Sequence, residues 1–190
     1  MTESNSRVIN DITLGTAAGN VPVLDSGAKL ASAVIPTSIT GKVVQVVHTV
    51  TSASTSGTTT MPADNTIPQN TEGVEFITRA ITPTNASNKL LIQFNLYVTA
   101  SSSTDNISYA LFQDTTANAL ASGIEFSDSA TAFAPLALTH YMTAGTTSAT
   151  TFKVRAGTHS AGTTYLNRTS SGDMHGGVMS SSITIWELTA

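Results

Sequence analysis

Four histidines, His48, His140, His159 and His175, stand among 33 threonines and 23 serines. These are the ingredients of nucleophilic hydrolysis, where a base within hydrogen-bond reach activates a hydroxyl and a third group orients the base. No Gly-x-Ser-x-Gly elbow accompanies them, and hydroxyls are so abundant that chance pairings carry no weight. Glycan cleavage needs two carboxylates flanking a cleft. The nearest pair in sequence is Glu72 and Glu75, and Glu72-Gly73 reads as a turn entering a strand, with solvated carboxylates. With no cysteine, thiolate catalysis and thiolate metal sites are both excluded. There is no Walker loop, no His-Glu-x-x-His and no dinucleotide fingerprint. The expectation is a protein that is not an enzyme, with no catalytic residue, no cofactor and no metal. His175, in Ser171-Gly-Asp-Met-His-Gly-Gly177, is the one axial candidate. Around a threefold axis a single histidine supplies three ligands.

Binding chemistry is better represented. Saccharide recognition uses an aromatic platform with planar polar groups on exposed loops. His159, Tyr165, Asn167, Arg168 and Asp173 gather late in the chain and are the receptor-binding candidates.

The elements that must position these groups follow from composition. Charged residues are 11% of the chain and the formal net charge is -4, so nothing is available to neutralise a run of phosphates, and nucleic acid is excluded as a partner. Few Leu, Glu, Lys and Arg argue against a helical bundle, whereas Thr, Val and Ile favour strands. No window approaches the ~18 consecutive apolar residues of a membrane span, so no membrane insertion is expected. Met1-Thr-Glu-Ser-Asn-Ser-Arg lacks the charged-then-apolar pattern of a signal peptide, which implies synthesis in a cytoplasm.

Two regions emerge, 1–40 and 41–190. The first is poor in large apolar groups and interrupted by Pro22 and Pro36, too little to form a core, and reads as an extended attachment segment. Its apolar residues Val8, Ile9, Ile12, Leu14, Val21, Val23 and Leu24 are the attachment candidates. The second alternates apolar and polar residues over 42–50, 74–81, 89–98, 107–113, 133–142, 151–156 and 182–188, with small polar stretches between; 51–60, all Ser, Thr, Ala and Gly, reads as a mobile loop. Short strands at this spacing indicate an all-β, antiparallel jelly-roll sandwich.

Several strands carry large apolar groups on both sides. Leu90, Ile92, Phe94, Leu96 and Val98 share one face and leave Leu91 and Tyr97 on the other; Ile183 and Ile185 leave Trp186 and Leu188. In the first strand Val43 and Val47 oppose Val44, Val46 and Val50. A face bearing Val43, Val47, Leu91, Tyr97, Trp186 and Leu188 is too apolar to stand bare. The N-terminal segment is one candidate cover but is poor in large apolar side chains, and identical copies around a symmetry axis are the better one.

Certain motifs resemble a known family. Leu14-Gly-Thr-Ala-Ala-Gly-Asn-Val-Pro-Val-Leu-Asp-Ser-Gly-Ala-Lys-Leu30 resembles the leader of many bacteriophage fibre and spike proteins. Pro68-Gln-Asn-Thr-Glu-Gly73, Asn85-Ala-Ser-Asn-Lys-Leu-Leu-Ile92 and Ser181-Ser-Ile-Thr-Ile-Trp-Glu-Leu188 resemble phage fibre-tip domains, whose jelly roll is like that of tumour necrosis factor (TNF) and complement C1q. The resemblance implies a homotrimer at the virion surface, anchored through its N-terminus to a capsid, tail or baseplate protein, with the jelly roll projecting to adhere to host-surface polysaccharide. With no long shaft repeat after the leader, a short fibre or spike on head or tail fits better than a long tail fibre. The alternative is a capsid decoration or cement protein with a purely stabilising role.

Overall fold

The computed structural model describes residues 41–102 and 105–190, and there the alternation of β-branched and polar residues becomes strand. The main strands are β1 (Val43–Thr51), β3 (Val74–Ile81), β4 (Lys89–Ala100), β5 (Asp105–Gln113), β6 (Ala121–Ser127), β7 (Ala134–Thr143), β8 (Thr150–Thr158) and β12 (Ser181–Leu188). Short pieces complete the order: β2 (Thr55–Gly57), β9 (Thr164–Leu166), β10 (Arg168–Thr169) and β11 (Gly172–Asp173). The attachment candidates within 1–40 lie outside the described residues.

Two antiparallel sheets face each other. One, six-stranded, runs β1-β12-β4-β9-β2, with β7 also paired to β4; the other runs β3-β8-β5-β6. The chain crosses repeatedly between them, from β1 to β3, back to β4, over to β5 and β6, and back to β7. This is the winding of a jelly roll. Leu90, Ile92, Leu96, Ile107, Leu111, Phe152, Val154, Ile183 and Ile185 meet between the layers, and Phe94 sets its ring edge-on to Tyr109 at 6.0 Å.

The structure departs from the sequence reading in three places. The stretch 51–60 is not all loop, since β2 pairs with β9, Thr55 opposite Leu166. β6 falls outside the alternating stretches of the sequence, because Gly123 and Glu125 break its pattern. Gly123 nevertheless suits the strand there, as a Cβ would run into the Tyr109 ring. The third correction concerns Val47. It pairs with the buried Ile185 and packs on the core, so it belongs to the inner face. A bulge between Val43 and Gln45 shifts the parity of β1, setting Val43 opposite Leu188 and Val46 opposite Trp186.

Candidate functional site

Cross-strand partners share a face, so the register of β1, β12, β4 and β7 writes out the outward surface of the six-stranded sheet row by row. Val46, Trp186, Leu91 and Tyr141 form one row. The next is polar: His48, Thr184, Gln93 and Thr139, tied by His48 Nδ1 to Thr184 Oγ1 at 2.8 Å and by Gln93 Nε2 donating to Thr139 Oγ1 at 3.1 Å. A third holds Val50, Ser182, Asn95 and Ala137. Tyr97 follows on the same side of β4, and at the other end Leu188 lies beside Lys89, whose Nζ donates to Thr143 Oγ1. Val46 is 49% exposed, Val50 58% and Tyr141 58%. Val46, Val50 and Tyr141 were not among the interface candidates. The signal for Tyr141 was present in the alternation of β7, which sends Leu136, Leu138 and Met142 inward; Val46 was hidden by the bulge.

One end of this face is closed by the chain after β9. Thr99, fully buried, donates from Oγ1 to Arg168 O at 2.9 Å. Arg168 stacks over the Tyr165 ring at 5.7 Å and pairs across the β10–β11 hairpin with Asp173. Three of the receptor-binding candidates are thus brought together. The other two are not. Asn167 is 2% exposed, with φ of 57°; its Nδ2 donates to Thr51 O and Ala53 O, and its Oδ1 accepts from Ser181 Oγ at 2.7 Å. It ties strands together and is corrected from surface ligand to buried fastener. His159 sits on the far side of the sandwich, where its Nδ1 accepts the Ala63 N–H at 2.9 Å.

His175 begins a turn of left-handed residues and lines, with Asn95, Tyr97, Val178 and Ser182, a cavity of about 610 Å³ at the edge of the outward face. Among the described residues no group of three or more His, Cys, Asp or Glu side chains could hold a metal ion. Glu72 accepts from Gln69 N within its own turn, while Glu75 lies 3.7 Å from Arg155 and 4.0 Å from Lys153. Of the histidines, His140 points inward on β7, and burial lowers its pKa.

Residues 51–190 match the family described as the Pgp3 C-terminal domain. The chain belongs to that family. A search of curated proteins gave no match. Among solved structures, the chain is similar to Eiger TNF from S. frugiperda, at 15% identity and a TM-score of 0.41, covering 76% of this chain and 94% of that one. It is also similar to the infectious bursal disease virus Gx strain structure (11%, TM-score 0.37, 80% of this chain and 39% of that one). A third likeness is to the enzymatically active domain of bacteriophage CBA120 tailspike protein 4 (17%, TM-score 0.27, 65% and 18%). The jelly roll implied by the resemblance to fibre-tip domains is the fold observed, and the family it falls in is described by Pgp3, not by a bacteriophage protein.

Proposed function

We propose that this Pgp3 C-terminal-domain family member is a non-enzymatic, homotrimeric surface protein of a bacteriophage virion, a short fibre or spike. Residues 1–40 fasten it to the particle, and the jelly roll projects to adhere to host-surface glycan. The observation that carries the reading is the outward row of Val46, Trp186, Leu91 and Tyr141, its ends exposed and its middle half-buried, on a sheet whose other face is already a complete core. A row of four large apolar side chains across one sheet face, with Val50 and Tyr97 further along, is a surface that a closed ring of copies buries without leaving an open end. The leader motif at 14–30 supports attachment to a virion.

Sedimentation equilibrium of the full chain tests the assembly: a mass about three times the 19.6 kDa of one chain is expected, and a stable monomer at micromolar concentration overturns it. Adsorption tests the role. Purified protein should bind host cells and compete with particle adsorption, and deletion of residues 1–36 should abolish incorporation into particles while leaving the trimer intact. Protein that protects capsids against heat without touching cells would make it a cement protein instead.

A further inference from the structure

The four-stranded sheet carries a second, separate apolar surface. On β6, Ile124 and Phe126 point away from the core and are 51% and 64% exposed. Opposite them the loop 62–68 crosses the sheet, pinned beneath by Met61, which is fully buried on Ala110 and Phe112, and alongside by the Ala63 N–H bond to His159. Between strand and loop runs a groove of about 400 Å³. Its walls are apolar, Pro62 and Pro68 on one side and Ile124 on the other, while polar groups line the rest: Ser108, Ser122 and Asp64.

Two of those polar groups face the groove with hydrogen-bonding capacity to spare. Ser108 is only 6% exposed, and its hydroxyl, which makes no hydrogen bond among the described residues, reaches solvent through the groove. Asp64 takes the Thr66 N–H and Oγ1–H on the single oxygen Oδ1, which leaves Oδ2 able to accept two further hydrogen bonds. The Thr66 hydrogen bonds hold the Asp64 carboxyl below the usual range, so it is charged near neutrality. No Lys or Arg lines the groove.

We propose that this groove binds a neutral pyranose of a surface polysaccharide. A pyranose offers one apolar C–H face to rest on Ile124, Pro62 and Pro68, and a rim of hydroxyls, each both donor and acceptor, to reach Ser108, Ser122 and Asp64. An acidic sugar would meet the charge of Asp64 with no Lys or Arg in the lining to offset it, His159 being the basic group close to that carboxylate. The groove has the size of a small-molecule site, and its lining mixes apolar Pro62, Ala63, Pro68 and Ile124 with polar Asp64, Thr66, Ser108 and Ser122, which suits a saccharide with one apolar face and a polar rim. It lies on the opposite sheet from the proposed trimer face, so three such grooves would look outward from one assembly. The inference rests on the adhesion reading above and gives it a site different from the Tyr165–Arg168–Asp173 hairpin.

Saturation-transfer NMR on the full chain tests it, with methyl α-D-glucopyranoside, methyl β-D-galactopyranoside and N-acetylglucosamine as neutral probes, and glucuronic acid and N-acetylneuraminic acid as acidic ones. At least one neutral probe should receive saturation at millimolar concentration. Ser122→Arg, at an exposed edge position, should weaken that binding at least tenfold by filling the groove, and Ser108→Ala should weaken it several-fold; circular dichroism of both variants should match the parent. No saturation of any neutral probe, or stronger saturation of the acidic ones, overturns the inference. So does binding that persists in both variants. Fluorescently labelled protein on host cells separates the two readings. If the parent and Ser122→Arg adsorb equally, the groove is wrong and adhesion stands. If the groove binds sugar but the protein ignores cells, the groove stands and adhesion fails.

Discussion

Glu187 is a charged residue on the inward face of β12 with none of its surface exposed. Its Oε1 accepts from Asn88 Nδ2 at 2.6 Å, Thr84 Oγ1 at 2.7 Å, Thr84 N at 2.8 Å and Asn85 N at 3.3 Å; its Oε2 accepts from Gln45 Nε2 at 2.6 Å. Burial alone would raise its pKa, but these donors outweigh burial and lower it from 4.5 to about 2. A carboxyl with a depressed folded-state pKa contributes stability that is fully present above its unfolded value and lost as pH falls through the folded one. Glu187 should therefore contribute on the order of 3 kcal/mol at neutral pH, fading between pH 4.5 and 2. Glu187→Gln brings an amide N–H₂ into a ring of donors and should lose about that much. Urea unfolding at pH 7, 4 and 3, at one fixed protein concentration, checks it: the variant should start weaker and its stability should fall less steeply with acid. Parallel slopes in the two proteins would show that the ring of donors is not what ties stability to acid.

At the scale of elements, the alternation in β3, β4, β5, β7, β8 and β12 was legible because one face of each strand feeds a dry core, and burial enforces period two. β4 was clearest, with its apolar stripe continuous from Leu90 to Val98. What stayed hidden depended on contacts between distant residues. The side on which Val47 falls was unreadable, since a bulge is invisible in a run of valines. The burial of Asn167 follows from carbonyls of residues more than a hundred positions earlier. The groove of Ser108 and Asp64 had no sequence signal, because a loop laid over a sheet makes it. The crossing of that loop is tight. A Cβ on Gly157 would lie 2.7 Å from Thr59 O and 2.8 Å from Met61 N, both backbone atoms that cannot swing away. Gly157→Ala should lift the loop, loosen Met61 from Phe112 and destabilise by about 2 kcal/mol. Hydrogen exchange at the Met61 amide, bonded to Thr158 O, should speed up while exchange in β4 and β12 is unchanged. Exchange that rises equally in every strand would mean that the loop and the sandwich open together.

For the whole molecule the question is what covers the outward face of the six-stranded sheet, and its single tryptophan makes the answer measurable. Trp186 sits between Val46 and Leu91, half-buried in one copy. Val46 is already half-exposed there, so Val46→Glu leaves the core between the sheets untouched and asks little of one protomer. In a trimer that buries this row, the same change places three carboxylates in an apolar seam, where each must be desolvated beside its like. The variant should therefore fold and fail to associate. Its sedimentation mass should drop to that of one chain, its Trp186 emission should shift to the red, and its far-ultraviolet circular dichroism should stay that of the parent. Val47→Glu makes the contrast, because it points a charge into the core and should unfold the chain. Ser122→Arg on the opposite sheet should leave both mass and emission unchanged. If Val46→Glu remained associated with unaltered emission, copies would have to meet elsewhere, and the exposed Ile124 and Phe126 would become the surface they share.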